Sequence, residues 1–387
     1  MGKENSQMNI LIVSTDFPPQ KGGISTYSHE LSAALSRQKN TNVFVLACGV
    51  TEYHKVNNRH PYTIIRTPSV PIIRILAMLF YLPWLIIRFR INVVLHTVWP
   101  SSLISHFWFL LFPRPYFVSV HASEIIDDRR SWRRTIKYFL KPWRQVTLKK
   151  AHGIFPVSQY TKGLLKRYGI PEERIKIISN GVDHHRFKPP VQKKTAKDKI
   201  LLTVARLDLH KGHDQVLKAL ALLKEEGITP LYWIAGSGEE KTRLHKLTKK
   251  LGIERQVSFL GFINDDKLLK IYHKADIFIM TSRKIFGRGD LIEGFGIAFL
   301  EASACGIPII AGHSGGVEDA VCDGRTGILV DPDNPSEIAN SIKHLMFDEE
   351  LSKKLGAAGR VWVESHMTWD RVSKRMISAM RNLCVRP

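Results

Sequence analysis

DIFIMTS (276–282) and EGFGIAFLEASACG (293–306) are the two neighbouring stretches that decide how this chain is read. The first is β-branched and aromatic, which predicts a strand; the second opens on a glycine-bearing turn and continues as a helix closed by Gly306. Strand, loop and helix in succession form the repeating unit of a doubly wound parallel sheet. On one unbroken helix, residues eight apart would lie roughly 80° round from each other. Here Glu293 falls in the loop and Glu301 about one turn inside the helix, so the two carboxylates can face one ligand from different sides. Amides at the start of such a helix have no internal partners and carry the positive end of its dipole. Those of Phe295, Gly296 and Ile297 therefore suit a phosphate or a hydroxyl. A carboxylate, in turn, accepts charge-assisted bonds from two adjacent hydroxyls.

Outward from this motif the same alternation covers the chain. Strand-like runs occur at 9–15, 42–47, 62–67, 92–97, 116–121, 153–158 and 175–179, then again at 199–205, 231–236, 257–262, 276–282, 308–312 and 327–330, with helical patterns between most of them. Helices are predicted near 335–347, 350–364 and 368–383. The polar stretch HHRFKPPVQKKTAKDK (184–199) holds a Pro pair and reads as a linker. The expected fold class is α/β, with two doubly wound Rossmann-like domains facing a cleft. The first spans 1–183, a linker 184–198, the second 199–367, and a last helix at 368–387 is able to return to the first domain.

At 387 residues the chain is long enough for two cores. Its four cysteines, Cys48, Cys305, Cys322 and Cys384, form no CxxC pair, which suits a reducing compartment and argues against a zinc site or a disulfide frame. The polar start MGKENSQ leads straight into a strand, so no signal-peptide core is expected and the cytoplasm is the expected location. Net charge is +22. Residues 1–190 hold 27 Lys and Arg against 10 Asp and Glu, a net of +17 that leaves +5 for the remainder. Such asymmetry points to an anionic partner for the first half, either a membrane surface or nucleic acid. No RNA- or DNA-binding motif is present, so nucleic acid is the weaker reading.

Two segments carry the membrane reading. The run ILAMLFYLPWLII (75–87) would span only about 20 Å as a helix against a hydrocarbon core of about 30 Å, so it is not expected to cross a bilayer. It reads either as a buried helix or as one partly inserted in a membrane face. The segment RRSWRRTIKYFLKPWRQVTLKK (129–150) has nine basic residues, no acidic one and two tryptophans. A solvated charged face and an interfacial amphipathic helix are the two readings of that pattern.

Further candidates lie after other strands. TDFPPQKGGISTY (15–27) sets Gly22 and Gly23 at the ligand edge of an open α/β sheet, as a tight turn or as a close approach to substrate. VARLDLHKG (204–212) puts Arg206 at a strand end and Lys211 at the opening of a helix, where two cations can neutralise a diphosphate. HASE (121–124) sets His121 at the end of another strand. The GSG of AGSGEE (235–240) lacks the third glycine and the acidic ribose reader of a dinucleotide site, and no GxxxxGK[ST], HExxH or GxSxG motif is present.

GGIST (22–26), HASE (121–124), SNGVD (179–183), RLDLHKG (206–212), AGSG (235–238) and EGFGIAFLEASACGIPIIAGHSGG (293–316) together resemble the retaining GT-B glycosyltransferases of family four. The stretch 282–316 looks most like the subgroup of phosphatidylinositol-mannoside mannosyltransferases. The resemblance implies a nucleotide-sugar donor on the second domain, GDP-mannose rather than a UDP-sugar, and a lipid-linked or glycan acceptor on the first. It implies that Arg206 and Lys211 hold the diphosphate, Glu301 the ribose hydroxyls, and Glu293 with the amides of Gly294 to Ile297 the transferred sugar. Gly22 and Gly23 would close over the phosphates, and His121 would contact the sugar near the reaction centre. Retention with no essential metal or cofactor, and a peripheral place on the inner membrane face, are implied as well. The alternatives within the family are UDP-glucose or UDP-GlcNAc enzymes of polysaccharide or lipopolysaccharide synthesis; a GT-B epimerase or phosphorylase and a nucleic-acid-binding protein are the other rivals. The sequence departs from the family pattern at Ala122, where many relatives have glycine.

Overall fold

A computed structural model of the chain describes residues 7–49, 60–122, 125–126, 133–191, 198–285 and 291–384. Ser123 and Glu124 of HASE, residues 129–132 of the basic segment, 192–197 of the expected linker and 286–290 lie outside these. The chain divides into two compact units, Met1–Asn180 with Trp369–Pro387, and Gly181–Thr368.

The first unit is built on β1 (Met8–Ser14), β2 (Thr41–Ala47), β3 (Thr63–Arg66), β4 (Val93–His96), β5 (Tyr116–Val120) and β6 (Gly153–Pro156), in the order β3-β2-β1-β4-β5-β6. All pairings are parallel. The second unit is built on β7 (Ile200–Val204), β8 (Leu231–Ala235), β9 (Val257–Gly261), β10 (Ile277–Met280), β11 (Ile309–Gly312) and β12 (Ile328–Val330), in the order β12-β11-β10-β7-β8-β9. Counted from its own first strand, each sheet has the same doubly wound order, which reverses beside that strand. Both are buried on two faces, which is why β4, β5, β10 and β11 read as unbroken apolar runs.

One predicted strand is absent. The run 175–179 forms a single bridge, Ile154 to Ile175, and continues alongside β6 through Lys176 N to Ile154 O and Ile178 N to Pro156 O. It lies at the open edge of the sheet, where the chain is about to leave the unit. Residues 184–190 pack on the second unit: Arg360 donates to the carbonyls of His184 and Phe187 at 3.1 and 2.7 Å, and Phe187 meets the Tyr272 ring edge-on. The helix Trp369–Cys384 buries Val372, Met376, Met380 and Leu383 in the first unit, beside the helix Gly23–Ser36. Gln38 ties it down by bonds to Asp370 and Ser373.

The apolar run at 75–87 belongs to a helix, Pro71–Arg88, that has two apolar faces. Met78, Leu82, Leu85 and Ile86 enter the core, whereas Ile73, Leu76, Phe80, Trp84 and Ile87 are exposed. Among the described residues no helix is long and apolar enough to cross a membrane.

At the end of β4, His96 is wholly buried and bonded through both ring nitrogens, to Ser101 Oγ at 3.0 Å and Ser105 Oγ at 2.8 Å. Burial pushes its imidazole from 6.5 down to about 3. The folded chain then refuses a proton that the unfolded chain takes up, so this stability is full above pH 6.5 and declines as pH falls toward 3. Urea unfolding of wild type and His96→Gln, at pH 7 and at about pH 4.5, should give a flatter acid dependence for the variant; equal slopes would show that His96 does not titrate this way.

Candidate functional site

In open α/β sheets ligands sit outside the carboxyl ends of the strands, where the strand order reverses. In the second unit that point lies between β7 and β10, and the loops leaving these strands carry the charged candidates. Beyond β7 the chain makes a 3-10 turn, Leu209–Lys211, before the helix His213–Glu225. Between them Gly212 has φ 76°, and a Cβ there would lie 2.0 Å from Thr281 O. Only glycine lets this loop press against the end of β10, where Thr281 Oγ1 donates to Gly212 O at 3.0 Å. Arg283 fixes the same contact: its N–H donates to His210 O at 2.8 Å, and its guanidinium pairs with Asp214 at 2.9 Å, both side chains buried.

This bracing delivers Lys211 to Glu293. The two form an ion pair, with side chains only 15% and 12% exposed. Burial raises the Glu293 carboxyl, but Lys211, His210 and the Phe295 amide more than offset it and hold the group below its ordinary value. Glu293 is held in place through its backbone, since Gly316 N donates to its carbonyl at 2.9 Å. Gly296, the N-cap of the helix Ile297–Ala304, has φ 92°, and a Cβ there would lie 2.5 Å from the Phe299 ring. The turn therefore keeps the amides of Gly294 to Ile297 beside the carboxylate.

Arg206 shares this edge but not the pair. Its side chain is 73% exposed and bonds to Asp208 at 2.8 Å, leaving its guanidinium in water. Glu301 lies within the helix, half-buried, and accepts from Tyr272 Oη at 2.7 Å; burial raises its pKa. Two participants were missed by the sequence reading. His210 is 5% exposed, its Nδ1 has no hydrogen-bond partner, and burial with Lys211 lowers it to about 4, so it stays neutral at pH 7. It stood inside RLDLHKG, beside the lysine that drew attention. Tyr272, fully buried, has no local signal, because its link to Glu301 arises only from folding. Among the described residues no three His, Cys, Asp or Glu side chains gather as a metal site would require.

In the first unit the corresponding edge centres on hydroxyls, with the Asp16 carboxylate accepting from Thr15 beside them. Thr97 Oγ1 donates to Ser14 Oγ at 2.9 Å, Ser14 shares a 2.9 Å bond with Ser28, and His121 Nε2 donates to Thr97 O at 3.1 Å. The His121 ring meets Tyr27 edge-on at 4.6 Å. Gly22 and Gly23 open the helix Gly23–Ser36, and a Cβ on either would meet nothing within 4 Å, so packing leaves open space there. Ala122 has φ 78°, the left-handed region that glycine favours.

Two family models match in tandem: Glycosyltransferase Family 4 over residues 21–186 and Glycosyl transferases group 1 over 185–362. A GDP-mannose-dependent alpha-(1-6)-phosphatidylinositol monomannoside mannosyltransferase of Mycobacterium tuberculosis is 28% identical, over 96% of this chain and 98% of its own. Its monoacylated-substrate counterpart in Corynebacterium glutamicum is 27% identical over 98% and 99%. Among solved structures, a sucrose-phosphate synthase of Thermosynechococcus elongatus superposes with TM-score 0.81 at 20% identity, covering 98% of this chain and 99% of that one. An Anabaena protein solved with UDP and glucose gives 0.78 at 19%, covering 97% and 100%. These two likenesses establish the GT-B fold.

Two predictions follow from the geometry. Removing one member of a buried pair strands the other charge and costs roughly 3–5 kcal/mol in a dry interior; slight exposure reduces this to about 1–3 kcal/mol. Lys211→Met and Glu293→Gln should each lower the urea midpoint, and the double variant should recover part of the loss; strictly additive losses would deny the coupling. At Ala122, left-handed strain of about 1–2 kcal/mol opposes one buried methyl worth about 0.8 kcal/mol. Ala122→Gly should therefore be neutral or stabilising and Ala122→Val clearly destabilising; a melting temperature lowered by the glycine would show that the residue is unstrained.

Proposed function

Since the chain belongs to the group 1, family four glycosyltransferases, we propose that it moves mannose from GDP-mannose, with retention of configuration, to a lipid-linked or glycan acceptor at a membrane face. The observation that carries the reading is the Lys211–Glu293 pair, with Arg206 on the same edge, at the switch point of the second sheet. The two are paired with each other, Lys211 holding the Glu293 carboxyl below its ordinary value, and a nucleotide sugar offers each a new partner. The diphosphate takes Lys211 and Arg206; a hydroxyl of the transferred sugar takes Glu293 and the amides from Gly294 to Ile297. Glu301 receives the ribose diol.

The bond between the anomeric carbon and the diphosphate oxygen breaks as negative charge builds on the leaving group. Lys211 and Arg206 stabilise that charge, the help a metal ion gives elsewhere, and no essential metal or cofactor is invoked. The acceptor hydroxyl attacks from the face the diphosphate leaves, passing its proton to the departing diphosphate oxygen, which keeps the configuration. The Lys211 ammonium is already placed before reaction and pays little reorganisation in the step. Gly22, Gly23 and His121 serve the acceptor on the first unit, whose basic excess suits an anionic membrane better than nucleic acid. Mannose is favoured over glucose or GlcNAc by the GDP-mannose-dependent relatives, similar over nearly the whole chain.

Calorimetric titration with GDP and UDP, beside turnover of GDP-mannose, UDP-glucose and UDP-GlcNAc, tests the reading. GDP should bind tighter, Glu301→Gln should weaken it by about tenfold, an effect of about 1.4 kcal/mol, and Glu293→Gln should spare it while lowering kcat/KM about a hundredfold. Preference for a UDP-sugar would overturn the donor, and equal losses of GDP affinity would overturn the division between the glutamates.

A further inference from the structure

The first unit carries an apolar groove that the sugar chemistry does not use. Its volume is about 480 Å³, within the range of about 300–1,000 Å³ typical of small-molecule sites. Leu79 of the helix Pro71–Arg88, Leu103, Ile104, Phe107 and Leu110 of the helix Trp99–Trp108 and its exit, and Trp143 of the helix Arg133–Lys150 line it. The surrounding surface is apolar as well. Ile73, Leu76, Phe80, Trp84 and Ile87 recur at helical spacing along the outer face of Pro71–Arg88, and Leu110 is 90% exposed. A soluble protein seldom leaves so much contiguous apolar surface to water without a partner.

The charges around the groove select that partner. Not one Asp or Glu occurs from residue 53 to residue 123, and the helix Arg133–Lys150 contains seven Lys or Arg and no acid. On that helix Trp143, Val146 and Lys150 are exposed at helical spacing, so one stripe runs from the groove wall to a cation. His106, also in the wall, feels Lys150: burial and that ammonium both lower its pKa. Lys141 and Lys149 are exposed on the same helix.

We infer that the groove seats one acyl chain of an anionic membrane phospholipid, whose phosphate is met by Lys150 at the end of the Trp143 stripe, while the stripe from Ile73 to Ile87 rests in the lipid surface. The inference builds on the membrane reading of the proposed function and sharpens it from adsorption to capture of a single lipid. A partner-protein helix would need no cationic rim, and a second copy of this basic unit would meet like charge.

Full-length protein titrated with monomeric myristoyl lysophosphatidylglycerol, followed by native mass spectrometry, tests the capture. Wild type should bind one lipid saturably, and lysophosphatidylcholine more weakly. Ile104→Trp, which fills the groove, should weaken the complex at least about tenfold yet keep binding to phosphatidylglycerol vesicles within about twofold. Lys150→Glu should remove most of the headgroup preference. Should Ile104→Trp melt early, Phe107→Ser at an exposed position takes its place, with the same loss expected. Unchanged affinity in the filled variant, several lipids bound together, or a dimer dispersed by Leu110→Glu would overturn the assignment. Vesicle binding without one-to-one capture would sink the groove alone, whereas a wild type that ignores the vesicles would sink the membrane reading beneath it.

Discussion

Lys211 and Glu293 leave different strands and meet as a largely buried ion pair. Their attraction is useful only because three other contacts fix where it happens: Gly212 against Thr281, Arg283 against Asp214, and Gly316 against the Glu293 carbonyl. The first two tie the loop beyond β7 to the loop beyond β10, and the third ties that loop to the one beyond β11. The strand order makes this possible, since reversal beside the first strand leaves a gap that no crossover helix covers. The charged edge is thus the product of one topology and one set of close backbone approaches.

The same topology, used twice, carries different chemistry. At the first sheet the equivalent edge is built from hydroxyls and an imidazole, Ser14, Ser28, Thr97 and His121, joined by neutral hydrogen bonds. At the second it is built from lysine, arginine and glutamates. A fold fixes where a ligand goes; side chains on its loops decide which ligand is welcome.

Much of this was legible in the sequence, and the exceptions have physical causes. The inner strands, buried on both faces, are mostly apolar runs, and the twelve strands among the described residues were all found, with ends shifted by a residue or two. The thirteenth, at 175–179, has the composition of a strand but a neighbour along only one side. Lys211 and Glu293 were found because their loops follow strands and hold glycines; Tyr272 was not, because its tie to Glu301 spans two helices that only tertiary packing brings together. The helix Pro71–Arg88 was read as buried or as membrane-facing, and it is apolar on both faces. Periodicity separates inside from outside only when one side is polar, and this helix has almost no polar side chain to mark the difference.

The return of the last helix has a consequence for synthesis. The second unit is continuous in the chain, from Gly181 to Thr368, and its entry and exit segments are paired, Val182 N donating to Met367 O at 2.9 Å. The first unit is split: the helix that covers its core, beginning at Trp369, is made only after the whole of the second unit. The usual order, in which the N-terminal domain folds first as the chain emerges, is therefore reversed at the final step. The second unit has every residue it needs while the first still exposes the flank of Gly23–Ser36 that the closing helix will cover.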